Sequence, residues 1–212
     1  MLNRRFFSQS AAAAASLMLM SSPVISWAAE EAPDAMIKRL SNEVLETIRN
    51  DPSIKSGDVD KIMVLVDRLL MPHVNFRRMT AAAVGPGWRK ATPEQQKRLQ
   101  DEFKVLLVRT YAGALSQVTN QSVDVKPLRA AAGDKDVLVR TEVRGKGDPV
   151  QVDYRLEKDG SSWKIYNLNV LGVWIVDTYR TQFGQEVNAK GIDGLIDTLV
   201  ARNQANAASA SK

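Results

Sequence analysis

Residues 136–170 read DVLVRTEVRGKGDPVQVDYRLEKDGSSWKIYNLNV, and this stretch decides the fold. Val137, Val139, Thr141 and Val143 recur at every second position. Val150, Val152, Tyr154 and Leu156 do the same against Gln151, Asp153 and Arg155. Period two marks a half-buried strand, because successive side chains point to opposite faces. Trp163 to Val170 is a further run, and Val123-Asp124-Val125 upstream also alternates. The links are short and rich in turn residues: Gly133-Asp134-Lys135, Gly145-Lys146-Gly147-Asp148-Pro149 and Asp159-Gly160. Each suits a hairpin. Four strands joined in sequence by hairpins predict an antiparallel meander, with Asp153 on an outward phase.

On both sides of the meander the apolar spacing turns helical. Upstream, Ile37, Leu40, Val44, Leu45 and Ile48 predict a helix over 30–51, broken by Pro52 and Gly57. Ile62, Leu65, Val66, Leu69 and Leu70 predict a second over 58–71, stopped by Pro72. A short one covers 74–84 and ends at Gly85-Pro86-Gly87. Thr92-Pro93-Glu94-Gln95 is a strong helix start: Thr92 caps, Pro93 takes the first turn and Gln95 completes a capping box. That helix should run to about residue 120. Downstream, helix is expected over 171–186, a last helix from Gly191, and a frayed Ala/Ser/Asn tail at the end of the chain (205–212, fraying from about 203). With no repeat and no linker, residues 29–204 read as one α+β domain: N-terminal helices, a four-stranded antiparallel meander sheet, and C-terminal helices that pack back onto it.

The first 28 residues read differently. Arg4 and Arg5 precede an apolar stretch over 11–25, and Ser26-Trp27-Ala28 puts small residues before a plausible cut. That order is a cleavable secretory signal, and the stretch is too short to span a bilayer comfortably. Arg4-Arg5-Phe6-Phe7 has the core of a twin-arginine signal, while Asn3 and the lack of a following Lys weaken that match, so general secretion and twin-arginine export both stay open. Without the signal, 27 basic side chains face 24 acidic ones. This mildly basic balance suits anionic surfaces and is too diffuse for nucleic acid. There is no cysteine, so the domain needs no disulfide in an oxidising compartment.

Catalytic patterns are missing. The single histidine, His73, has no Cys, Ser or second His to form a triad or metal set, and reads as structural. Gly85-Pro86-Gly87 follows a helix and loses an amide donor at Pro86, unlike a phosphate loop. Asp58 and Asp60 fit a helix start. The chain reads as a non-enzyme with no cofactor and no metal. A sheet cupped by apolar helix faces could close on a solid core or surround a cavity, and composition alone leaves both open.

Several motifs in order then become recognisable. They are Met71-Pro72-His73-Val74-Asn75-Phe76-Arg77-Arg78-Met79; Gly85-x-x-Trp88-Arg89-x-Ala91-Thr92-Pro93-x-Gln95; and Phe103-x-x-Leu106-Leu107-x-x-Thr110-Tyr111-Ala112-x-x-Leu115. Asp153-Tyr154, Trp163-Lys164-Ile165-Tyr166-Asn167, Gly172-Val173, Tyr179-Arg180-x-Gln182-Phe183 and Lys190-Gly191-Ile192-Asp193-Gly194-Leu195-Ile196 follow. Over roughly residues 35–200 the chain resembles the MlaC (toluene-tolerance) family of periplasmic phospholipid-binding proteins. It departs from the family's pattern at Gly85-Pro86-Gly87 and at Asn75, where many relatives carry Asp.

The resemblance implies a monomeric periplasmic carrier of glycerophospholipid, with the lipid as cargo and no cofactor. Its implied partners are an outer-membrane lipoprotein–porin complex and an inner-membrane ABC transporter with an MCE-domain subunit. The pathway maintains outer-membrane lipid asymmetry. The acyl chains would lie in an apolar pocket enclosed by sheet and helices. Strand alternation and helical phase then predict Val139, Val152 and Tyr154 as its lining from the sheet, and Leu107, Tyr111 and Leu115 from the long helix. Phe76 and Met79 would sit nearby. Val173, Val176 and Tyr179 would form a wall from the penultimate helix, with Val173 also matching the family's Gly-Val segment. Arg180 is a candidate for the rim, against a surface salt bridge. Two other readings are an enzyme of the ketosteroid-isomerase cone type, which needs an inward acid on a strand, and a periplasmic chaperone with an open apolar groove.

Overall fold

Helix α1 (Pro33–Asn50) opens on a proline and turns Met36, Ile37, Leu40, Leu45 and Ile48 inward. The computed structural model describes residues 30–131 and 133–210, so the expected signal segment lies outside the described residues. Asp51 ends α1 and caps the short α2 (Pro52–Lys55), its carboxylate accepting from the Ser53 amide at 2.9 Å. Asp58 caps α3 (Val59–Leu65) by accepting from the Asp60 and Lys61 amides. The single helix expected over 58–71 is in fact α3 followed by a wide π turn over 66–70 and a tight turn over 71–73. The chain changes pitch just before Pro72, which has no amide to donate. Asn75 caps α4 (Phe76–Val84), and its side-chain oxygen accepts from the Arg78 amide at 3.0 Å.

Helix α5 (Pro93–Ser116) starts at the expected capping box: Gln95 N–H donates to the Thr92 hydroxyl, and Thr92 N–H to the Gln95 side chain. The meander follows as β1 (Ser122–Val125), β2 (Asp136–Arg144), β3 (Val150–Asp159) and β4 (Ser162–Val170). A fifth strand, β5 (Val173–Trp174), extends the sheet, and the order is β1-β2-β3-β4-β5, all antiparallel. Residues 173–174 therefore pair with β4 instead of opening a helix. That helix, α6 (Ile175–Ala210), is broken at Gly191, where φ is 73° and ψ is −171°. Thr198 donates to Glu186 and Arg202 to Gln182, so the two halves of α6 run back along each other. The frayed tail expected from about 203 is also corrected. Helix continues through Ala210, and buried Asn203 ties it to α5 by donating to the Glu102 carbonyl at 3.0 Å.

Among the described residues, three apolar clusters hold these layers. The first joins α4, α5 and α6 around Phe76, Phe103, Tyr179 and Phe183, whose rings lie 4.9–5.8 Å apart. Aromatic contacts at these spacings add to simple burial. The second packs α1 on the sheet through Met36, Ile37, Leu40, Val137, Val139, Leu156, Trp163 and Ile165. The third lies between α1, α2, α3 and α5.

A bulge divides the sheet between two of these clusters. Leu156 pairs with Ile165 but Arg155 with Asn167, so Tyr166 is an extra residue in β4. An extra residue reverses the phase of the strand beyond it. Before the bulge Trp163 and Ile165 share the Leu156 face; after it, Leu168 pairs with Tyr154 and Val170 with Val152. Arg78 pins Tyr166 by stacking 3.5 Å from its ring centre, and the Tyr166 hydroxyl donates to Asp136. Burial and this Asp136 contact push the Tyr166 phenol up to about 12.

Candidate functional site

The structure separates the residues expected to line one pocket. Phe76, Met79, Val176 and Tyr179 are buried in the first cluster, with Leu107 and Tyr111 half-buried against it. Val139 is buried in the second cluster, and Tyr154 packs half-buried against that one. Leu115 is half-buried against the third. Val152 is half-buried between its cross-strand partners Thr141 and Val170. Val173 departs from expectation: it is 54 % exposed on β5 and forms no interior wall. Its strand is the last in the sheet, so no further strand covers it. Arg180 is exposed on α6.

What the register does bring together is a half-buried apolar track. It comprises Val152 and Tyr154 on β3, with Leu168 and Val170 beside them on β4. Leu168 and Val170 pack against the first cluster, as Leu107 and Tyr111 do from α5. The sequence reading missed Leu168 and Val170 because alternation counted from Trp163 and Ile165 puts them on the other face. Their signal was present: Tyr166, Leu168 and Val170 make β4 apolar in both phases.

The polar groups along the track are phenols. Burial pushes the Tyr154 hydroxyl up, with the Ser41 and Thr141 hydroxyls acting the other way. Burial, with Tyr179 beside it, also raises Tyr111. Both stay neutral near pH 7, so they can meet apolar matter without the cost of burying a charge. Asp153 lies next to Tyr154 on β3. It takes the outward phase as expected, pairing with Arg140 and Asn169 opposite the Tyr154 face, yet it is 6 % exposed. Gln151 donates to one carboxylate oxygen at 2.8 Å, and the other oxygen is buried without a partner. This acid faces away from the apolar track, so its burial does not supply the inward acid that an isomerase-type site needs.

Two buried asparagines fix the end of the track. Asn167 accepts from the Val176 amide at the start of α6 at 3.2 Å, and Asn169 from the Gly172 amide at 2.9 Å. Arg155 lies 4.2 Å from the Trp174 ring centre. A separate open cleft of about 540 Å³ on α1 is lined by Glu43, Glu46, Thr47, Asn50, Asp51, Pro52 and Leu69, none of them an expected site residue. Its acidic, water-facing rim does not suit an apolar ligand. Among the described residues no group of three or more His, Cys, Asp or Glu could hold a metal ion, and no helix is long and apolar enough to cross a membrane.

The family model for the MlaC protein matches residues 38–201, from α1 through both halves of α6. The chain belongs to the MlaC family. Among MlaC relatives it is 30 % identical over 179 residues to the toluene tolerance protein ttg2D of Pseudomonas putida, covering 84 % of this chain and 82 % of that one. It is 23 % identical over 176 residues to the intermembrane phospholipid transport system binding protein MlaC of Haemophilus influenzae, covering 81 % and 82 %. A phospholipid-binding protein from Ralstonia solanacearum, solved in complex with a phospholipid, has the same fold. It superposes with a TM-score of 0.80 at 46 % identity, covering 82 % of this chain and 98 % of that one. The MlaC assignment rests on the whole domain, not on one motif.

Proposed function

We propose that this chain is a periplasmic phospholipid carrier. It takes glycerophospholipid by its acyl chains and shuttles it between an outer-membrane lipoprotein–porin complex and an inner-membrane ABC transporter bearing an MCE-domain subunit, so maintaining outer-membrane lipid asymmetry. The observation that carries this reading is the phospholipid-bound Ralstonia protein, which shares 46 % of its residues and nearly all of its fold with this chain. In the proposal, residues 1–28 are a cleaved signal, and the acyl chains lie along the track of Val152, Tyr154, Leu107, Tyr111 and Leu115. Leu168 and Val170 join them. Val139, Phe76, Met79, Val176 and Tyr179 back this lining from the adjoining clusters.

The energetics suit a carrier without a catalytic step. A two-chain lipid has about 30 methylenes, whose removal from water is worth roughly 25 kcal/mol. A bilayer already supplies nearly all of that. Protein and membrane are therefore close to balanced, and partners set the direction. The protein has to offer an apolar interior that can part and refill. Half-buried side chains between three clusters meet that need better than a close-packed core, where voids are costly.

The test is to purify the chain from the periplasm, extract it with organic solvent and analyse the extract by mass spectrometry. Near-stoichiometric phospholipid is expected. Protein that is folded and free of phospholipid would overturn the proposal.

A further inference from the structure

The turn between β4 and β5 breaks two local rules at once. Leu171 and Gly172 form a two-residue hairpin loop between the paired residues Val170 and Val173, and both have positive φ, 52° and 86°. Such a loop favours Asn or Asp followed by Gly. A leucine in the left-handed region crowds its own backbone and is strained. Leu171 is also 66 % exposed, next to Val173, and its amide donates to the Gln151 carbonyl at 3.1 Å, which sets the tip against Val150 at the start of β3. An asparagine here would relieve the strain and remove the exposed carbon. A residue that is both strained and unburied is a mark of function, since packing gives nothing in return.

We propose that this tip is a membrane-contact point. Leu171, with Val173 and Val150 beside it, enters the outer part of a phospholipid bilayer while the chain exchanges cargo. The proposal rests on the carrier reading above. A bilayer suits the tip better than a protein partner does. The Leu171 and Gly172 amides are already satisfied by Gln151 and Asn169, so the tip offers aliphatic carbon and no directional group. Three side chains at and beside a tight turn fall far below the roughly 800 Å² per partner of a stable protein interface. Shallow insertion needs only apolar area.

The rim is balanced in charge. Lys146 and Asp148 on the adjoining turn carry opposite charges, and Arg144 is held by Asp124 and Glu142. Contact should therefore not need anionic headgroups. The tip also leads inward. Leu171 adjoins Val170, which pairs with Val152, and these lead to Leu168 and Tyr154, so one apolar track runs from solvent to the candidate site.

The test is flotation of the purified chain with phosphatidylcholine vesicles, at low and high salt, against Leu171→Asn. Wild type should float equally at both salt levels. The variant should bind about tenfold more weakly. Its thermal midpoint should be unchanged or higher, because Asn tolerates the left-handed region. Phospholipid in its organic extract should match wild type. Absence of wild-type flotation, equal flotation of the variant, or binding that vanishes at high salt would overturn the proposal. So would a lower thermal midpoint, which would mark Leu171 as a packing residue. If neither protein carries phospholipid and only wild type floats, the carrier reading fails and the contact point stands.

Discussion

On one side of the β4 bulge, Leu156 and its cross-strand partners Val137 and Ile165 are 0 %, 6 % and 6 % exposed. On the other side, Val152, Tyr154, Leu168 and Val170 are as apolar but only half-buried. One inserted residue, Tyr166, separates the two regions. Before it the sheet rests on α1; beyond it, β4 turns Leu168 and Val170 toward the α4–α5–α6 cluster. Close packing is what stabilises a fold, and a carrier also needs a region where that packing is left incomplete. The bulge lets one sheet have both.

The widest expected gap lies between matched truncations in the two regions. Leu156→Ala should cost about 2–5 kcal/mol in denaturant unfolding, because it leaves a cavity in a closed core. Leu168→Ala should cost no more than about 2 kcal/mol, because its surroundings can shift and water can reach the space. Equal costs would show that the regions are packed alike. Next is the junction between them and α6. Asn167→Ala removes the acceptor of the buried Val176 amide. A loss of about 1–3 kcal/mol is expected, read as a lower unfolding midpoint.

The smallest effect concerns the closed side. His73 sits where Val74 bridges to Ile165, and its pKa is lowered from 6.5 by burial and by the charges of Arg39 and Lys164. The unfolded chain therefore binds a proton more readily than the folded one. This contribution to stability is full above about pH 6.5 and is lost as pH falls below it. His73→Gln should flatten the stability–pH curve in that window, and an unchanged slope would remove His73 as its source.

Much of this architecture was legible from spacing alone. The capping box at Thr92 and Gln95 acts through local hydrogen bonds, so four residues sufficed to place it. The four meander strands carry their own period. What escaped depends on partners distant in the chain. β5 has two residues and no period, and it exists only because β4 offers an edge to Val173 and Trp174. The bulge at Tyr166 is a matter of register, and β4, apolar in both phases, gives no sign of which phase faces inward where. That hid Leu168 and Val170 and left Val173 misplaced on a helix. The helix over 203–210 has little apolar content of its own, and Asn203 holds it through Glu102, about a hundred positions earlier. Asp153 follows strand alternation, but its burial comes from neighbours such as Asn169 and Gln151.

The most direct measurement uses a phospholipid with a photoreactive group at the end of an acyl chain. The lipid is loaded onto the protein, irradiated, and the adducts located by peptide mass spectrometry. Labels should fall on the half-buried region, at Val152, Tyr154, Leu168 or Val170 and on Leu107 or Tyr111 of α5. Labels confined to the open cleft of Glu43, Glu46 and Leu69, or to outward surfaces, would contradict the placement of the acyl chains between sheet and helices.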